Sequence, residues 1–205
     1  MDSTIMNVNY FENIIIAPPK ERIYARLKFA KGKTVLEDSQ ALEVEEHISQ
    51  AASLINIKGA GVIAGVKDVE PNKVILSDGI VFESQQLVKF LEGCSQILIM
   101  GATAGQKIID AISENNLTAS VVFDATASEM IDESLNWIVN YFSRQLVRES
   151  KHITKRRYSA GYGDFTLDNQ KIICDTLDLK RFGVSLTQSY ILTPEKSVTA
   201  IAGIR

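Results

Sequence analysis

The hydrophobic period changes at Gly59, and that change constrains the fold more than any other feature of the chain. Before it, Ala41, Val44, Ile48, Ala51 and Ile55 recur every three or four residues. This spacing predicts a helix over 37–56, with Glu43, Glu45 and Glu46 facing water. After it, GVIAGVKDV and NKVILSDGIVF are rich in β-branched residues and are punctuated by Pro71–Asn72 and Asp78–Gly79. That pattern predicts strands and turns. Ser84 is placed to cap a short helix through Leu91, which Gly93 stops, and QILIM at 96–100 reads as a buried strand. GATAGQKIIDAI reads as a strand-to-helix turn and a helix, and ASVVF at 119–123 as another short strand. A long helix is expected from about Ala127 to Arg148, with Met130, Ile131, Ile138, Tyr141, Phe142 and Leu146 inward.

Near the N-terminus, the apolar run at 11–17 ends at Pro18 and Pro19. Pro19 suits the first turn of a helix through KERIYARLKFAKG, with Ile23, Leu27 and Ala30 on one face and Gly32 closing it. Towards the C-terminus, Thr166 or Asp168 is placed to cap a helix through Leu179. SLTQSYILT and SVTAIAGI follow as strands separated by Pro194. Helices and strands are mixed without a strict βαβα alternation. The expected class is therefore α+β, a twisted and mostly antiparallel sheet flanked by helices.

Composition narrows the function. The net charge is 22 − 25 = −3, which argues against a broad nucleic-acid-binding surface. No apolar run reaches the roughly 18 residues of a membrane span, and the first ten residues lack a basic secretion signal. Cys94 and Cys174 form no CxxC pair and read as reduced thiols of a cytoplasmic protein.

Gly59, Gly61 and Gly65 have the spacing of a dinucleotide fingerprint, but Pro71 follows too soon for the helix that motif needs. A turn between a helix and a strand is the expected structure. Gly101–Gly105 lies between a strand and a helix, so its amides suit an anion. It lacks the Gly-Lys-Ser/Thr ending of a P-loop, and a tight turn of small residues explains it as well. His47 and His152 belong to no metal-ligand set, and there is no G-x-S-x-G elbow.

The informative stretch is Arg157-Tyr158-Ser159-Ala160-Gly161-Tyr162-Gly163-Asp164-Phe165. An arginine fork grips carboxylates, small residues let backbone approach a ligand, and tyrosines offer flat faces with polar tips. Such a loop suits a zwitterionic amino acid attached to adenosine, although a purely structural loop has the same composition.

These residues, with LDNQKIICDTLDL and GVSLTQSYILTPEKSVTAIAGI after them, resemble the AdoMet-binding activation (reactivation) domain of cobalamin-dependent methionine synthase. The family hallmark R-x-x-x-G-Y is matched by Arg157, Gly161 and Tyr162. Leu186-Thr187, Ser189-Tyr190, Pro194 and Ser197-Val198 match the pattern that follows it. The ordered likeness spans 156–204. Residues 84–205 form the activation-domain-like region, and 1–83 a helical and β-rich part of the same domain.

The resemblance implies a standalone accessory protein that binds S-adenosyl-L-methionine (AdoMet) and supports reductive methylation of cob(II)alamin. The cobalamin would be carried by a methionine synthase or another corrinoid protein, because no Asp-x-His-x-x-Gly cobalt-ligating sequence is present. The reductant would be flavodoxin-like or ferredoxin-like. The protein would belong to a methyltransferase system of methionine biosynthesis and be inactive without its vitamin B12-bearing partner. Arg157 would hold the AdoMet carboxylate, and Ala160 and Gly161 would hold the ligand through their backbone. Tyr162 would stand between ligand and corrinoid as the catalytic contributor. Asp132, or Glu133 beside it, would meet a positive group of the ligand. The alternatives are a noncatalytic module of the same fold, or a nucleotide-binding protein using Gly101–Gly105.

Overall fold

The computed structural model describes residues 7–29 and 37–205. A short strand β1 (Asn9–Phe11) leads to helix α1 (Lys20–Arg26) and then to α2 (Asp38–Leu54). A hairpin series follows: β2 (Lys58–Glu70), β3 (Lys73–Leu76) and β4 (Val81–Glu83). Next come α3 (Gln85–Phe90), β5 (Gln96–Thr103), α4 (Gln106–Glu114) and the long helix α5 (Leu117–Leu146). The chain ends with α6 (Asn169–Thr176), the two-residue strands β6 (Ser185–Leu186) and β7 (Leu192–Thr193), and β8 (Ser197–Ile204).

The main sheet has the order β4-β3-β2-β5-β8, with β1 added to β2, and every pairing is antiparallel. The α+β expectation holds. Strands from before and after residue 83 share this one sheet: β2 pairs with β5 from Lys58↔Thr103 to Gly65↔Gln96.

Both sheet faces are covered, which explains why the central strands are apolar without a break. On β5, Leu98, Met100 and Ala102 face a core closed by α5, with Phe123, Ile138 and Phe142. Ile97 and Ile99 face the opposite core with Phe82, Leu87, Phe165 and Ile173. The strand period of two sends alternate residues to opposite faces.

Several local expectations are corrected. ASVVF is not a strand; it lies in the first turns of α5, which begins at Leu117. The Asn116 side chain accepts the Ala119 amide at 3.0 Å, and Ala119, Val122 and Phe123 bury at helical spacing. Capping and packing outweigh the β propensity of two valines. Gly59, Gly61 and Gly65 lie inside β2 rather than in a turn. A Cβ on Gly61 would sit 2.5 Å from Phe142 Cε2, and one on Gly59 would sit 3.1 Å from Ile138 Cδ1. The two glycines let α5 seat directly on the strand. The helix expected from Thr166 or Asp168 to Leu179 spans only Asn169–Thr176, and a separate 3-10 turn follows at Leu179–Phe182. SLTQSYILT is reduced to β6 and β7, joined by a turn in which Tyr190 has φ +61.

Helix α1 ends at Arg26, short of the length its sequence suggested, and Lys28 already has φ +65. Ala30 and Gly32, expected to complete it, lie outside the described residues. Among the described residues no helix is long and apolar enough to cross a membrane.

Candidate functional site

The segment after α5 runs along the outer edge of β8. His152 donates its amide to the Arg205 carbonyl at 2.8 Å, and Thr154 donates to Gly203 at 2.8 Å. Tyr158 and Ile201 exchange two backbone hydrogen bonds of 2.8 Å, and the Ser159 hydroxyl donates to the Thr199 carbonyl at 2.8 Å. Extended backbone sends successive side chains opposite ways. Tyr158 therefore packs towards α3, its ring stacked on Phe90 at 5.4 Å, and its hydroxyl donates to Gln86 Oε1 at 2.9 Å. Arg157 points to α5. Its Nη2 donates to Asp132 Oδ1 at 3.0 Å and its Nη1 donates to Asn136 Oδ1.

Asp132 is shared. Its second oxygen, Oδ2, accepts from Arg22 Nη2 at 2.7 Å, so one carboxylate lies between an arginine of α1 and the arginine of the loop. Arg22 also donates to Glu133 Oε2 at 2.8 Å and to Glu129 Oε2 at 2.7 Å, and Arg26 donates to Glu129 Oε1 at 2.6 Å. Burial alone would push the Glu129 carboxyl up. The hydrogen bonds from Arg26 and Arg22 outweigh it and hold that carboxyl below its ordinary value.

The loop then turns sharply. Ala160 is buried, while Gly161 (φ +94) and Gly163 (φ +57) take the left-handed conformations that glycine adopts without strain. The Gly161 amide donates to the Phe165 carbonyl at 2.7 Å, and the Phe165 amide donates to the Tyr162 carbonyl at 3.0 Å. Phe165 is fully buried and anchors the turn against Phe82. Asp164 accepts the amides of Gln85 and Gln86 at 2.7 and 3.2 Å, along with the Ser84 hydroxyl. These donors hold its carboxyl below its ordinary value, the Ser84 hydroxyl contributing most. With both ends of the turn fixed, Tyr162 is carried outward and is 67% exposed.

Of the residues expected in the site, Arg157 and Asp132 are in direct contact, and Glu133 lies beside them on α5. Ala160, Gly161 and Tyr162 form the turn that follows. Gly101–Thr103 belong to β5, and in the turn after it the Ala104 amide donates to Lys196 and the Gly105 amide to Thr103 Oγ1. The amides that would hold an anion there already have partners within the chain. Sequence reasoning missed Arg22, Asn136 and Glu129. Glu129, Asp132, Glu133 and Asn136 stand at i, i+3, i+4 and i+7, a polar stripe legible on any long helix. Nothing local told which residues of α1 would meet it.

The arrangement suits an α-amino acid. A guanidinium fork recognises a carboxylate and a carboxylate recognises an ammonium. Arg157 and Asp132 offer one of each, and Arg22 keeps Asp132 in place. Among the described residues no cluster of histidine, cysteine and acidic side chains could hold a metal ion.

Among solved structures, the chain matches the MetH reactivation domain bound to AdoHcy with a TM-score of 0.67, over 98% of this chain and 79% of that one. The fold is that of the MetH reactivation domain. Sequence identity is 12%, so the likeness is one of fold. No family model and no curated protein matches the chain. Within the reactivation-domain fold, the Arg157–Tyr162 loop lies along the outer edge of β8, one side tied to α5 and the other to α3.

Proposed function

We propose that the chain binds AdoMet on the Arg157–Tyr162 loop and presents its methyl group to a corrinoid held by a partner protein, as an accessory factor in cobalamin-dependent methionine synthesis or a related methyl transfer. The observation that carries this reading is the Arg157–Asp132 contact beside an exposed Gly-Tyr turn, in a chain whose fold is that of a domain solved with AdoHcy. The AdoMet carboxylate would take the Arg157 fork, and its ammonium would take Asp132, each replacing half of the existing pair. The Ala160–Gly161 backbone would line the ligand, and the Tyr162 ring would stand between it and the partner.

The corrinoid, when bound, supplies a low-valent metal centre that accepts the methyl group; one electron from a flavodoxin-like or ferredoxin-like reductant and the departure of AdoHcy balance the step. The chain's own contribution is positioning, which alone lowers a barrier substantially when reacting atoms are held in line. The free thiols of Cys94 and Cys174 are in keeping with a cytoplasmic setting.

Calorimetric titration tests the reading. AdoMet should bind the wild type, and Arg157→Ala should lose about 1.5–3 kcal/mol, the worth of charge-assisted hydrogen bonds. Tyr162→Ala should keep most AdoMet affinity and slow the spectral conversion of cob(II)alamin to methylcobalamin on a corrinoid partner. Undiminished AdoMet binding by a folded Arg157→Ala protein overturns the assignment.

A further inference from the structure

The basic run KHITKRR holds more cations than the loop uses. Arg157 is committed to Asp132, and Lys151 to Glu149 and Gln96. Lys155 and Arg156 are exposed and form no ion pair among the described residues, and the same holds for Arg205 at the end of β8. With His152, these side chains line a groove of about 690 Å³ that Phe90 and Glu92 also border.

We propose that this groove is a second ligand site, for a small molecule that joins a phosphate or diphosphate to a flat ring. Three features select that chemistry. The chain is acidic overall, so three cations without an ion pair among the described residues, set against the single acidic side chain Glu92 in one lining, are a local concentration rather than a reflection of composition. A multivalent anion can take charge-assisted hydrogen bonds from several cations that line one groove. The volume lies in the range of small-molecule pockets. Phe90 supplies an aromatic wall whose orientation is fixed by its stack on Tyr158. Glu92 is an acceptor for a ring amine or a sugar hydroxyl.

The groove is distinct from the Arg157 site. Neither Arg157 nor Asp132 lines it, and its cations, Lys155, Arg156 and Arg205, lie outside the R-x-x-x-G-Y motif. The inference therefore stands or falls separately from AdoMet binding.

Titration of the full chain with ADP, and separately with pyrophosphate, at about 0.15 M salt tests it. ADP should bind, pyrophosphate should compete with it, and AdoMet should not displace it. Lys155→Glu/Arg156→Glu should weaken ADP about tenfold or more, and Lys155→Gln/Arg156→Gln should weaken it less. Phe90→Leu should weaken ADP and leave pyrophosphate unchanged. Absence of ADP binding, binding that survives both charge changes, or displacement of ADP by AdoMet overturns the proposal. The last outcome would place the nucleotide on the Arg157 loop.

Discussion

Replacing Gly61 by alanine should destabilise the protein, because the glycine is where α5 touches the sheet. Gly61 lies in the central strand β2, opposite Asn9 on one side and Met100 on the other, so its backbone is extended and accepts an alanine. The added methyl carbon would lie 2.5 Å from Phe142 Cε2 and 3.2 Å from both Phe142 Cζ and Ile138 Cγ2. Phe142 is 2% exposed and packed edge-on against Phe11 and Tyr141, so its ring has little room to yield. Overpacking of this kind costs about 1–3 kcal/mol, against a gain of about 0.4–1 kcal/mol from the stiffer unfolded chain. A net loss of about 1–2 kcal/mol should lower Tm by about 2–8 °C in a domain this long. Thermal unfolding of Gly61→Ala, Phe142→Leu and the double variant reads it directly. Leucine lacks the ring atoms that the added methyl would strike, so the double variant should be less destabilised than the sum of the singles. A Gly61→Ala protein as stable as wild type, or strict additivity in the cycle, would refute the seating of α5 on Gly61.

Glu129→Gln should cost about 1–3 kcal/mol at about pH 7, from the lost charge on hydrogen bonds to Arg22 and Arg26. The Glu129 carboxyl is held low in the folded protein, so its contribution is present above the unfolded carboxyl range, about pH 4.3, and fades as pH falls through the lower folded value. Urea unfolding should show the gap between wild type and variant shrink by about pH 3; a gap that is constant or widens there counts against the pairing. Burial pushes the Cys174 thiol up to about 11, with Asp175 adding to it, whereas Cys94 is only half-buried. A thiol reagent at about pH 8 should label Cys94 well before Cys174 in the native protein, and equal rates would contradict the packing around α6.

Much of this architecture can be read from residue order, and what cannot has physical reasons. The apolar runs at 96–100 and 197–204 announce buried strands because a sheet covered on both faces needs no polar alternation. ASVVF misleads because its valines favour strands locally, and only the Asn116 cap and the underlying core make it helical. The glycines at 59–65 resemble a ligand fingerprint because close approach of backbone demands glycine whether the neighbour is a pyrophosphate or a phenylalanine. In the site, Arg157 and Asp132 were named through the R-x-x-x-G-Y resemblance. Arg22 stayed hidden because it reaches Asp132 across 110 positions of sequence, a distance no periodicity spans.

The segment that carries Arg157 has a second consequence, for colloidal behaviour. β8 is an eight-residue strand at the margin of the sheet, rich in apolar side chains and free of proline. A bare margin of that kind recruits strands from other copies. Residues 152–159 occupy its amides and carbonyls at His152, Thr154, Tyr158 and Ser159, and so act as a bumper against edge-to-edge stacking. The proposed ligand contact and protection from self-association thus fall on one short stretch of chain. Changes that loosen it for the sake of affinity will also bring the protein nearer to precipitation.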